Sequence, residues 1–383
     1  MRSSSTLQRL CEAVVLVTLG TASSVLAQPW VFTKIADSGT IVPGTTVPFG
    51  TTFGIFLPPS ISGNTVGFAG FNTQFGYAGV YTGSGGPLSV AADHATPIPN
   101  GTGNFTGFGQ LTNSVPSLSG GRVAFHGEIE NGANPTGIYL RDGPMLLKVV
   151  DFMTPVPNGS GGTFFPIGQP SLEDNRVVFA GREFNGTQRG VYSWQNGSLS
   201  VVADRSTPIP GGAGNFTDLF DCDLDQGRVL FSGAGTNQFR GLYLADSGGQ
   251  IARLYDSTTV VPGGNGGAFT AISRVSLSGE RVAFYAQGGG QEGFYSDVSG
   301  QLEIIADHNT LVPGSPGLFF TGFGRIAIDA GVVAFGGNLS NGGAGVYSTH
   351  TGVLSKVLQS GDLLNGKVVS SVGMGAQGLD GGS

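Results

Sequence analysis

Short runs in which apolar and polar residues alternate recur along the chain, and clusters of glycine, proline and asparagine separate them. In the run RVAFHG (122–127), Val123 and Phe125 fall on one face, and the run TGIYLRD (136–142) follows it. A period of two residues is typical of β-strands, and glycine-containing turns between runs are typical of β-hairpins. Because no window shows a sustained helical period with caps, the pattern predicts an all-β protein.

The alternating runs belong to a repeat with steps of 51 to 58 residues, which three ladders of residues mark in the same phase. An aspartate opens a proline- and glycine-rich phrase such as ADRSTPIPGGAGNFTD (203–218), and it recurs at Asp37, Asp93, Asp151, Asp204, Asp256 and Asp307, with Asp362 as a weaker seventh. A phenylalanine of VAF-like runs recurs at Phe68, Phe125, Phe179, Phe231, Phe284 and Phe335. A tyrosine of GxY runs recurs at Tyr81, Tyr139, Tyr192, Tyr243, Tyr295 and Tyr347. Four short strands per repeat predict a β-propeller, in which each blade buries its faces against the next.

The expected number of blades follows from the complete sets of four strands, which lie at 60–93, 116–151, 170–204, 221–256, 274–307 and 325–359. Before them, WVFTKIAD (30–37) has the pattern of a lone fourth strand, and after them residues 367–383 have the pattern of a lone first strand. We therefore expect a seven-bladed propeller whose incomplete last blade is split between the termini, in a truncated chain. A six-bladed propeller is the alternative, and a β-solenoid is a less favoured one.

The first 27 residues have the composition of a secretory signal peptide. Arg2 and Arg9 give a positive charge to the segment before a short apolar run (13–20), and the small residues of VLA (25–27) suit cleavage after Ala27. No later stretch has about 18 uninterrupted apolar residues, which predicts no integral membrane span. We expect residues 28–383 to form one monomeric propeller domain that is secreted, periplasmic or at the cell surface.

The composition of the chain argues against some classes of protein and of binding partner. Of the 383 residues, 68 are Gly, 26 are Phe and only 11% are charged, with a net charge of −7. Low charge with substantial apolar content argues against disorder, and the lack of a Lys/Arg cluster argues against nucleic-acid binding. Cys11 belongs to the predicted leader, so we expect no disulfide; the remaining Cys222 stands between Asp221 and Asp223, which disfavour a reactive thiolate.

The aspartates of the repeat have a structural interpretation and a metal-binding one. Each aspartate can accept a hydrogen bond from the backbone N–H two residues later, which forms an Asx turn at the end of a strand. A calcium-holding ring is disfavoured because each aspartate lies in a different blade. In DCDLDQG (221–227), Asp221, Asp223 and Asp225 alternate as in a calcium loop, but the EF-hand glycine and glutamate positions do not match and a first strand is expected there. We expect no metal or cofactor, with calcium as the alternative.

No catalytic residue is predicted, because the chain has no GxSxG, HExxH or phosphate-binding glycine loop. His94 and His308 occupy equivalent positions after the repeat aspartate, whereas His126 and His350 are scattered; none has metal-site or triad spacing, so surface or loop positions are expected. Arginines recur just before the VAF strands, which favours a role in a repeated turn: Arg122, Arg176, Arg228 and Arg281.

One end of each blade combines the constant phrase with a variable loop between the second and third strands, at 70–79, 126–137, 180–190 and 286–293. Variable loops on a rigid scaffold are the usual place for recognition. We therefore expect any specific binding at this face. The alternative is a glycan-active propeller hydrolase or lyase, which would need converging carboxylates; Glu128, Glu130 and Glu183 of the variable loops are the candidates.

The segments ADHATPIPNGTGNFTGFG, PSLSGGRVAFHG and GIYL together resemble an uncharacterised tandem-repeat family of exported bacterial proteins, whose members often carry a PEP-CTERM type anchoring tail. The resemblance covers nearly all of the predicted mature chain and implies no known activity or site residue. No Pro-Glu-Pro tail with an apolar span is present in the sequence, which puts anchoring in doubt. The expected function is non-catalytic: a surface or extracellular binding or structural module whose partner is a polysaccharide or a cell-surface protein.

Overall fold

The computed structural model describes residues 14–18, 30–44, 50–72, 76–109, 115–129, 136–166, 168–236 and 239–380. These residues form 31 β-strands, most of which belong to six antiparallel sheets arranged as the blades of a β-propeller. The predicted all-β propeller is therefore confirmed, with six blades, the alternative number. The predicted cleavage position after Ala27 lies outside the described residues.

No helix in the described ranges is long and apolar enough to cross a membrane. Outside the blades, two small sheets are formed by β1 (Val14–Thr18) with β2 (Val31–Ala36) and, near the other terminus, by β30 (Leu363–Leu364) with β31 (Lys367–Val368).

The first three blades share one feature: their first strand is split into two short strands that pair with the same second strand. The first blade contains β3 (Ile55–Phe56), β4 (Ser60–Ser62), β5 (Thr65–Phe71), β6 (Ala78–Gly83) and β7 (Ser89–Asp93). The second contains β8 (Phe105–Gly107), β9 (Ser117–Ser119), β10 (Arg122–Ile129), β11 (Thr136–Asp142) and β12 (Met145–Asp151). The third contains β13 (Phe164–Pro166), β14 (Ser171–Glu173), β15 (Arg176–Glu183), β16 (Arg189–Gln195) and β17 (Ser198–Asp204).

The last three blades have four continuous strands each. The fourth contains β18 (Asp218–Asp225), β19 (Arg228–Ala234), β20 (Arg240–Ala245) and β21 (Ile251–Asp256). The fifth contains β22 (Phe269–Ser278), β23 (Arg281–Gly288), β24 (Gln291–Ser296) and β25 (Glu303–Asp307). The sixth contains β26 (Phe320–Asp329), β27 (Val332–Leu339), β28 (Ala344–Ser348) and β29 (Ser355–Gln359).

The difference between the two halves of the ring has a cause in the sequence. Pro59, Pro116 and Pro170 directly precede the second pieces of the split first strands. Proline lacks the N–H that a strand donates to its neighbour, so it interrupts the ladder. The last three blades have other residues at this place, and their first strands stay continuous through a shift in register.

Each blade is centred on a trio of aromatic rings, which accounts for two of the three sequence ladders. In the fourth blade, the ring of Phe216 from the preceding connection stands edge-on to Tyr243 at 4.8 Å and to Phe231 at 5.8 Å. All three side chains are buried. Such edge-to-face pairs add to the free energy of apolar burial. The same trio recurs in the other five blades.

Polar side chains on the first strands tie neighbouring blades together from the second blade to the sixth. The Ser117 hydroxyl accepts a hydrogen bond from Leu172 N at 2.8 Å, and the Ser276 hydroxyl accepts one from Ile328 N at 3.1 Å. The first strands surround the axis of the ring, so these bonds satisfy backbone donors that have no partner within their own sheet. A side chain at one fixed strand position thereby sets how neighbouring blades pack.

The N-terminal segment lies between the sixth and first blades, and the C-terminal segment reaches the first strands near the axis of the ring. Trp30 Nε1 donates a hydrogen bond to the Lys356 carbonyl of the sixth blade at 3.1 Å, whereas Ala36 of β2 packs in the core of the first blade. Ile61 N of the first blade donates to the Gln377 carbonyl at 2.9 Å. Within the described part of the chain, β2 pairs only with β1, and the segment that holds Gln377 forms no strand. The termini thus close the ring without a seventh four-stranded sheet.

Candidate functional site: the loop face

Two kinds of connection lie together at one end of the propeller, which we call the loop face. The joints link the fourth strand of one blade to the first strand of the next, and the second-to-third-strand turns lie beside them. In the third blade, Phe184 N of such a turn donates to the Thr163 carbonyl of the joint at 2.8 Å. In the fifth, Asn265 N of the joint donates to the Gly289 carbonyl of the turn at 2.9 Å.

The repeat aspartate locks the start of each joint. Asp204 Oδ1 accepts hydrogen bonds from Ser206 N at 2.8 Å and from the Thr207 hydroxyl at 3.2 Å, while Asp204 N donates to Thr207 Oγ1 at 2.9 Å. The expected Asx turn is therefore confirmed, with a reciprocal threonine that the sequence interpretation missed. The equivalent contacts are made by Asp37, Asp93, Asp151, Asp256 and Asp307 with the residues that follow them.

The sixth blade departs from this arrangement. Gln359 pairs with Gly345 as Asp151 pairs with Gly137 in the second blade, so Gln359 occupies the aspartate position. Asp362 stands three residues later and accepts a hydrogen bond from Gln359 N at 2.9 Å, as the threonine hydroxyl does elsewhere. Asp362 therefore takes the place of the threonine rather than that of the repeat aspartate.

Glu183, a candidate acid for the enzyme alternative, holds the loop face of the third blade together. Its Oε1 accepts hydrogen bonds from Ser160 N at 2.6 Å, Ser160 Oγ at 2.9 Å and Gly162 N at 2.8 Å, and only 3% of the residue is exposed. The Gly162 N–H lowers the pKa of this carboxyl; desolvation opposes that effect, and Ser160 and the Gln188 N–H reinforce it. Its acceptor sites are thus used by the adjoining joint.

We expect Glu183→Gln to loosen this joint locally. The amide has one carbonyl oxygen and no charge, so the amides of Ser160 and Gly162 should exchange with solvent about tenfold faster. Because the folded-state pKa is lowered, the wild-type protection should be complete above the ordinary carboxyl pKa and should be lost as the pH falls through the lowered value. Hydrogen exchange measured across pH tests this, with the exposed Glu280→Gln as control; unchanged exchange at Ser160 and Gly162 would contradict it.

The two other candidate carboxylates do not form a site with Glu183 in the described residues. Glu128 is the penultimate residue of its strand in the second blade and is buried, and its charge partly offsets the lowering of the His94 pKa by burial. Glu130 lies outside the described residues. Glu128 and Glu183 thus belong to two separate blades.

The four histidines differ in how far they are exposed to solvent. His308 is exposed on the loop face and stacks on Phe323 at 5.4 Å. His94 and His350 are half-buried, and burial lowers the pKa of both. His126 is only 3% exposed, and burial lowers its pKa to about 4. The expectation of a surface position is wrong for His126, because its strand is covered on both faces by neighbouring blades.

The calcium-like triad of aspartates is part of a strand, as expected, and its side chains bind the next blade. Arg274 N donates to Asp221 Oδ2 at 2.7 Å and Leu277 N donates to Asp223 Oδ2 at 2.9 Å. Gly279 N donates to the carboxylate of Asp225. The alternate spacing therefore matches successive N–H groups of a neighbouring strand, and among the described residues no group of three or more His, Cys, Asp and Glu side chains is arranged to hold a metal ion.

Asp223 is the costly member of this triad. Burial raises its pKa to about 6, although hydrogen bonds from Ser171 and Leu277 act in the opposite direction. The neighbouring Cys222 thiol is also buried, and burial together with Asp223 and Asp221 raises its pKa. This agrees with the expectation of an unreactive thiol.

We expect Asp223→Ser to stabilise the protein at pH 8 by about 2 kcal/mol. Serine stands at this position in the third blade, where Ser171 accepts Leu224 N, so the tie to Leu277 can be kept. Because the folded-state pKa is raised, the carboxylate opposes folding fully above about pH 6, and this effect disappears as the pH falls below its ordinary pKa near 3.8. The gain should therefore vanish near pH 3.5.

Urea denaturation at both pH values measures this difference. The matched control is Ser276→Asp, which places a carboxylate at the same position of the fifth blade and should create the pH dependence that Asp223→Ser removes. Equal stability of wild type and Asp223→Ser at pH 8 would show that the buried carboxylate carries no such cost.

The recurring arginines act at turns, as expected. Arg176 Nη1 donates to the Gly227 carbonyl of the next blade at 2.8 Å, and Arg228 forms an ion pair with Glu280 of the blade after that at 3.2 Å. These contacts join neighbouring blades at the end of the propeller opposite the loop face. The arginines therefore contribute to the frame and not to the loop face.

Two cavities differ in place and size. A small cavity of about 30 Å³ lies among the first strands and contains Ser171, Asp223 and Gln377. A groove of about 560 Å³ opens on the loop face of the fifth blade, and its lining comes from Thr270, the turn that ends at Glu292 and the joint that begins at Asp307. Only the groove has the dimensions of a small-molecule or sugar site.

The chain matches, over residues 32–374, a protein family described as a family of unknown function (DUF7453). No curated protein matches the chain in sequence.

Several solved structures are similar in fold at low identity. They include TolB from Acinetobacter baumannii (14% identity, TM-score 0.38), where the match covers 69% of this chain and 56% of TolB. The SapL1 lectin in complex with alpha methyl fucoside (14%, TM-score 0.39) is matched over 78% of this chain and 96% of the lectin. An oligogalacturonate lyase in complex with manganese (11%, TM-score 0.47) is matched over 94% and 89%. The chain spans about half of TolB, and none of these similarities carries functional information.

Proposed function

The chain belongs to this family of unknown function, and from that premise we propose that it is an exported, non-catalytic binding module that uses its loop face. Its partner is a polysaccharide or a cell-surface protein. The supporting observation is that the loop face contains two kinds of segment. The joints are constant and are locked by aspartates, whereas the turns beside them differ in length and sequence. A rigid frame with variable turns is the usual design of a recognition surface.

The carboxylates support a binding role over a catalytic one. Glycosidase chemistry requires two carboxyl groups that face one substrate and differ in pKa. Glu183 instead binds the backbone of its own blade, and Glu128 belongs to another blade. The loop face offers a groove with polar groups at its mouth, which suits the retention of a ligand.

Oriented immobilisation of the full chain tests this proposal. Single cysteines replace one of two exposed residues in a Cys11→Ser background: Phe184 on the loop face or Met145 at the opposite end. Cys222 is half-buried and its thiol pKa is raised, so it should react much more slowly than an exposed cysteine. Neutral, amino and acidic polysaccharides and purified bacterial surface proteins are then passed over both surfaces. We expect capture when the protein is linked through position 145 and at least a tenfold loss through position 184. Equal capture on both surfaces, or none from the whole panel, would overturn the proposal.

A further inference from the structure

The groove on the loop face of the fifth blade, which we call the fifth-blade groove, has a polar wall at one side. Gln287 Nε2 donates to Tyr285 Oη at 2.7 Å and to one carboxylate oxygen of Glu292 at 3.2 Å. The other oxygen of Glu292 lies 4.0 Å from His308 Nε2. Glu292 is therefore held in one place by a planar amide while it remains partly exposed to the groove.

The joint supplies the facing side of the groove. Asp307 closes its Asx turn with Asn309 N at 3.0 Å, and the Asn309 side-chain amide lies 3.3 Å from Asp307 Oδ2. The amide and carboxylate groups of this joint thus face those of the turn across the groove. Rigidly held groups of this kind lose little conformational entropy when they bind a hydroxyl-rich ligand.

An aromatic platform lies at the same edge. The imidazole of His308 stacks almost parallel on Phe323, with ring centroids 5.4 Å apart and an angle of 8°. Phe323 is buried, whereas 45% of the His308 side chain is exposed. One face of the imidazole is fixed by the core, so the platform keeps its orientation without a ligand. Flat rings with a fixed orientation are suited to stacking against the apolar face of a sugar ring.

The charge of the groove limits the class of ligand. Its lining includes the carboxylates of Glu292 and Asp307 and contains no Lys or Arg. The guanidinium of Arg274 lies 4.6 Å over the ring of Tyr285 and donates to carbonyls of the next blade, so its hydrogen bonds are made away from the groove lining. Like charges would repel an anionic polymer, whereas carboxylates accept hydrogen bonds from neutral hydroxyls.

The equivalent position after the first blade provides an internal comparison. His94 also follows the repeat aspartate and also lies on a phenylalanine, Phe108, at 6.2 Å. The ring of Tyr77 lies on another side of His94, with the two ring centroids 6.4 Å apart. The Nε2 atom of His94 is buried. His94 is therefore part of the packing, and His308 is the member of this pair that faces solvent.

We propose that the fifth-blade groove binds one pyranose unit of a neutral glycan, with Glu292, Asp307, Gln287 and Asn309 bonding to its hydroxyls and His308 stacking on its ring. This inference rests on the proposed function, which it makes specific to one groove and one ligand class. Neutral hexoses satisfy the acceptors of the two carboxylates and the donors of the two amides at once. Uronic-acid polymers do not fit the charge of this site.

Affinity electrophoresis of the full chain in gels containing glucan, mannan or galactan, with alginate and polygalacturonate as anionic probes, tests the proposal. We expect retardation by at least one neutral polymer and none by the anionic ones. His308→Ala and Glu292→Gln should each raise the dissociation constant at least tenfold. The matched control His94→Ala should leave it within about twofold. Circular dichroism and a thermal melt of each variant check that the propeller is folded.

The outcomes separate this inference from the proposed function. If neutral glycan binds and both groove variants keep wild-type affinity, the groove is not the site, whereas the loop face can still pass its orientation test. If only anionic polymers retard the protein, the ligand class is wrong. If no polymer retards it and neither immobilised surface captures a partner, both proposals fail. Equal losses of glycan affinity in the His94→Ala and His308→Ala proteins would indicate damage to the fold. That result would also overturn the proposal that the groove is the binding site.

Discussion

Asp204→Ala should lower the free energy of unfolding by about 3 kcal/mol, the largest effect that we expect from one polar side chain. Asp204 has no exposed surface. Besides the Ser206 and Thr207 bonds of its own turn, its Oδ2 accepts hydrogen bonds from Asn158 Nδ2 at 2.9 Å and Gln188 Nε2 at 2.8 Å. Alanine would leave all of these donors without a partner in the protein, and an unpaired buried donor costs its full desolvation.

The effect should depend on pH in a defined direction. Burial raises the pKa of Asp204, but the hydrogen bonds from Ser206, Asn158 and Thr207 outweigh it and leave the pKa below the ordinary value. A lowered folded-state pKa means that the carboxylate stabilises the fold above its ordinary pKa and loses this contribution as the pH falls through the lowered value. The difference between wild type and Asp204→Ala should therefore shrink in acid.

Urea denaturation at pH 7 and in acid measures the Asp204 effect. The control is Asp246→Ala, because Asp246 makes a similar turn with Gly248 N at 2.9 Å and Gln250 N at 2.8 Å, but on an exposed hairpin. Its loss should cost less than about 1 kcal/mol, since water can replace the carboxylate there. Similar costs for both substitutions would mean that the joint aspartate is no more important than any surface turn.

The architecture was predictable because its signals are local and repeated. The tyrosine and phenylalanine ladders mark core positions, and alternation marks strands, so one blade interpreted correctly determines the others. The proline before Ser117 also explains, from sequence, why that first strand is split. The number of blades depends on how distant termini such as Trp30 and Gln377 pack, and such long-range contacts leave no periodic trace.

Side-chain roles were less predictable than strands. Glu183 and Asp223 carry carboxylates of the kind that catalytic and metal sites use, yet each accepts hydrogen bonds from backbone N–H groups of another segment. Ser117 and Ser276, which stand at the Asp223 position in other blades, accept the equivalent hydrogen bonds, so comparison between repeats was the available signal for Asp223. His126 was misjudged because a propeller strand is covered on both faces. The fifth-blade groove combines a turn and a joint that are 15 or more residues apart in sequence, from Glu292 to Asp307.

The glycine of the GxY motif has a steric cause that yields the second large prediction. A β-carbon built on Gly241 would lie 2.7 Å from Tyr243 Oη and 2.8 Å from its Cζ. The tyrosine ring folds back over the glycine two residues earlier and is fully buried there against Phe216. Side-chain atoms of the motif tyrosine come within 3.0 Å of the corresponding position in four further blades, at Gly79, Gly137, Gly190 and Gly345.

We expect Gly241→Ala to destabilise the protein by about 2–3 kcal/mol, because the added methyl group must displace a packed ring. Tyr243→Leu alone should cost a similar amount through the cavity that it leaves. The double variant should cost at least about 1 kcal/mol less than the sum of the two, since leucine removes the atoms that the methyl group meets.

Thermal and urea unfolding of the four proteins complete this double-mutant cycle. Gly86→Ala is the control, because a β-carbon there meets no atom within 4 Å, and it should change stability by less than about 0.5 kcal/mol or raise it slightly. Additive costs for Gly241→Ala and Tyr243→Leu would show that the glycine is required by the backbone and not by the ring. A double-variant cost below the sum would instead mean that the tyrosine ladder dictates the glycine ladder, so that packing within one blade explains two of the three residues of the motif.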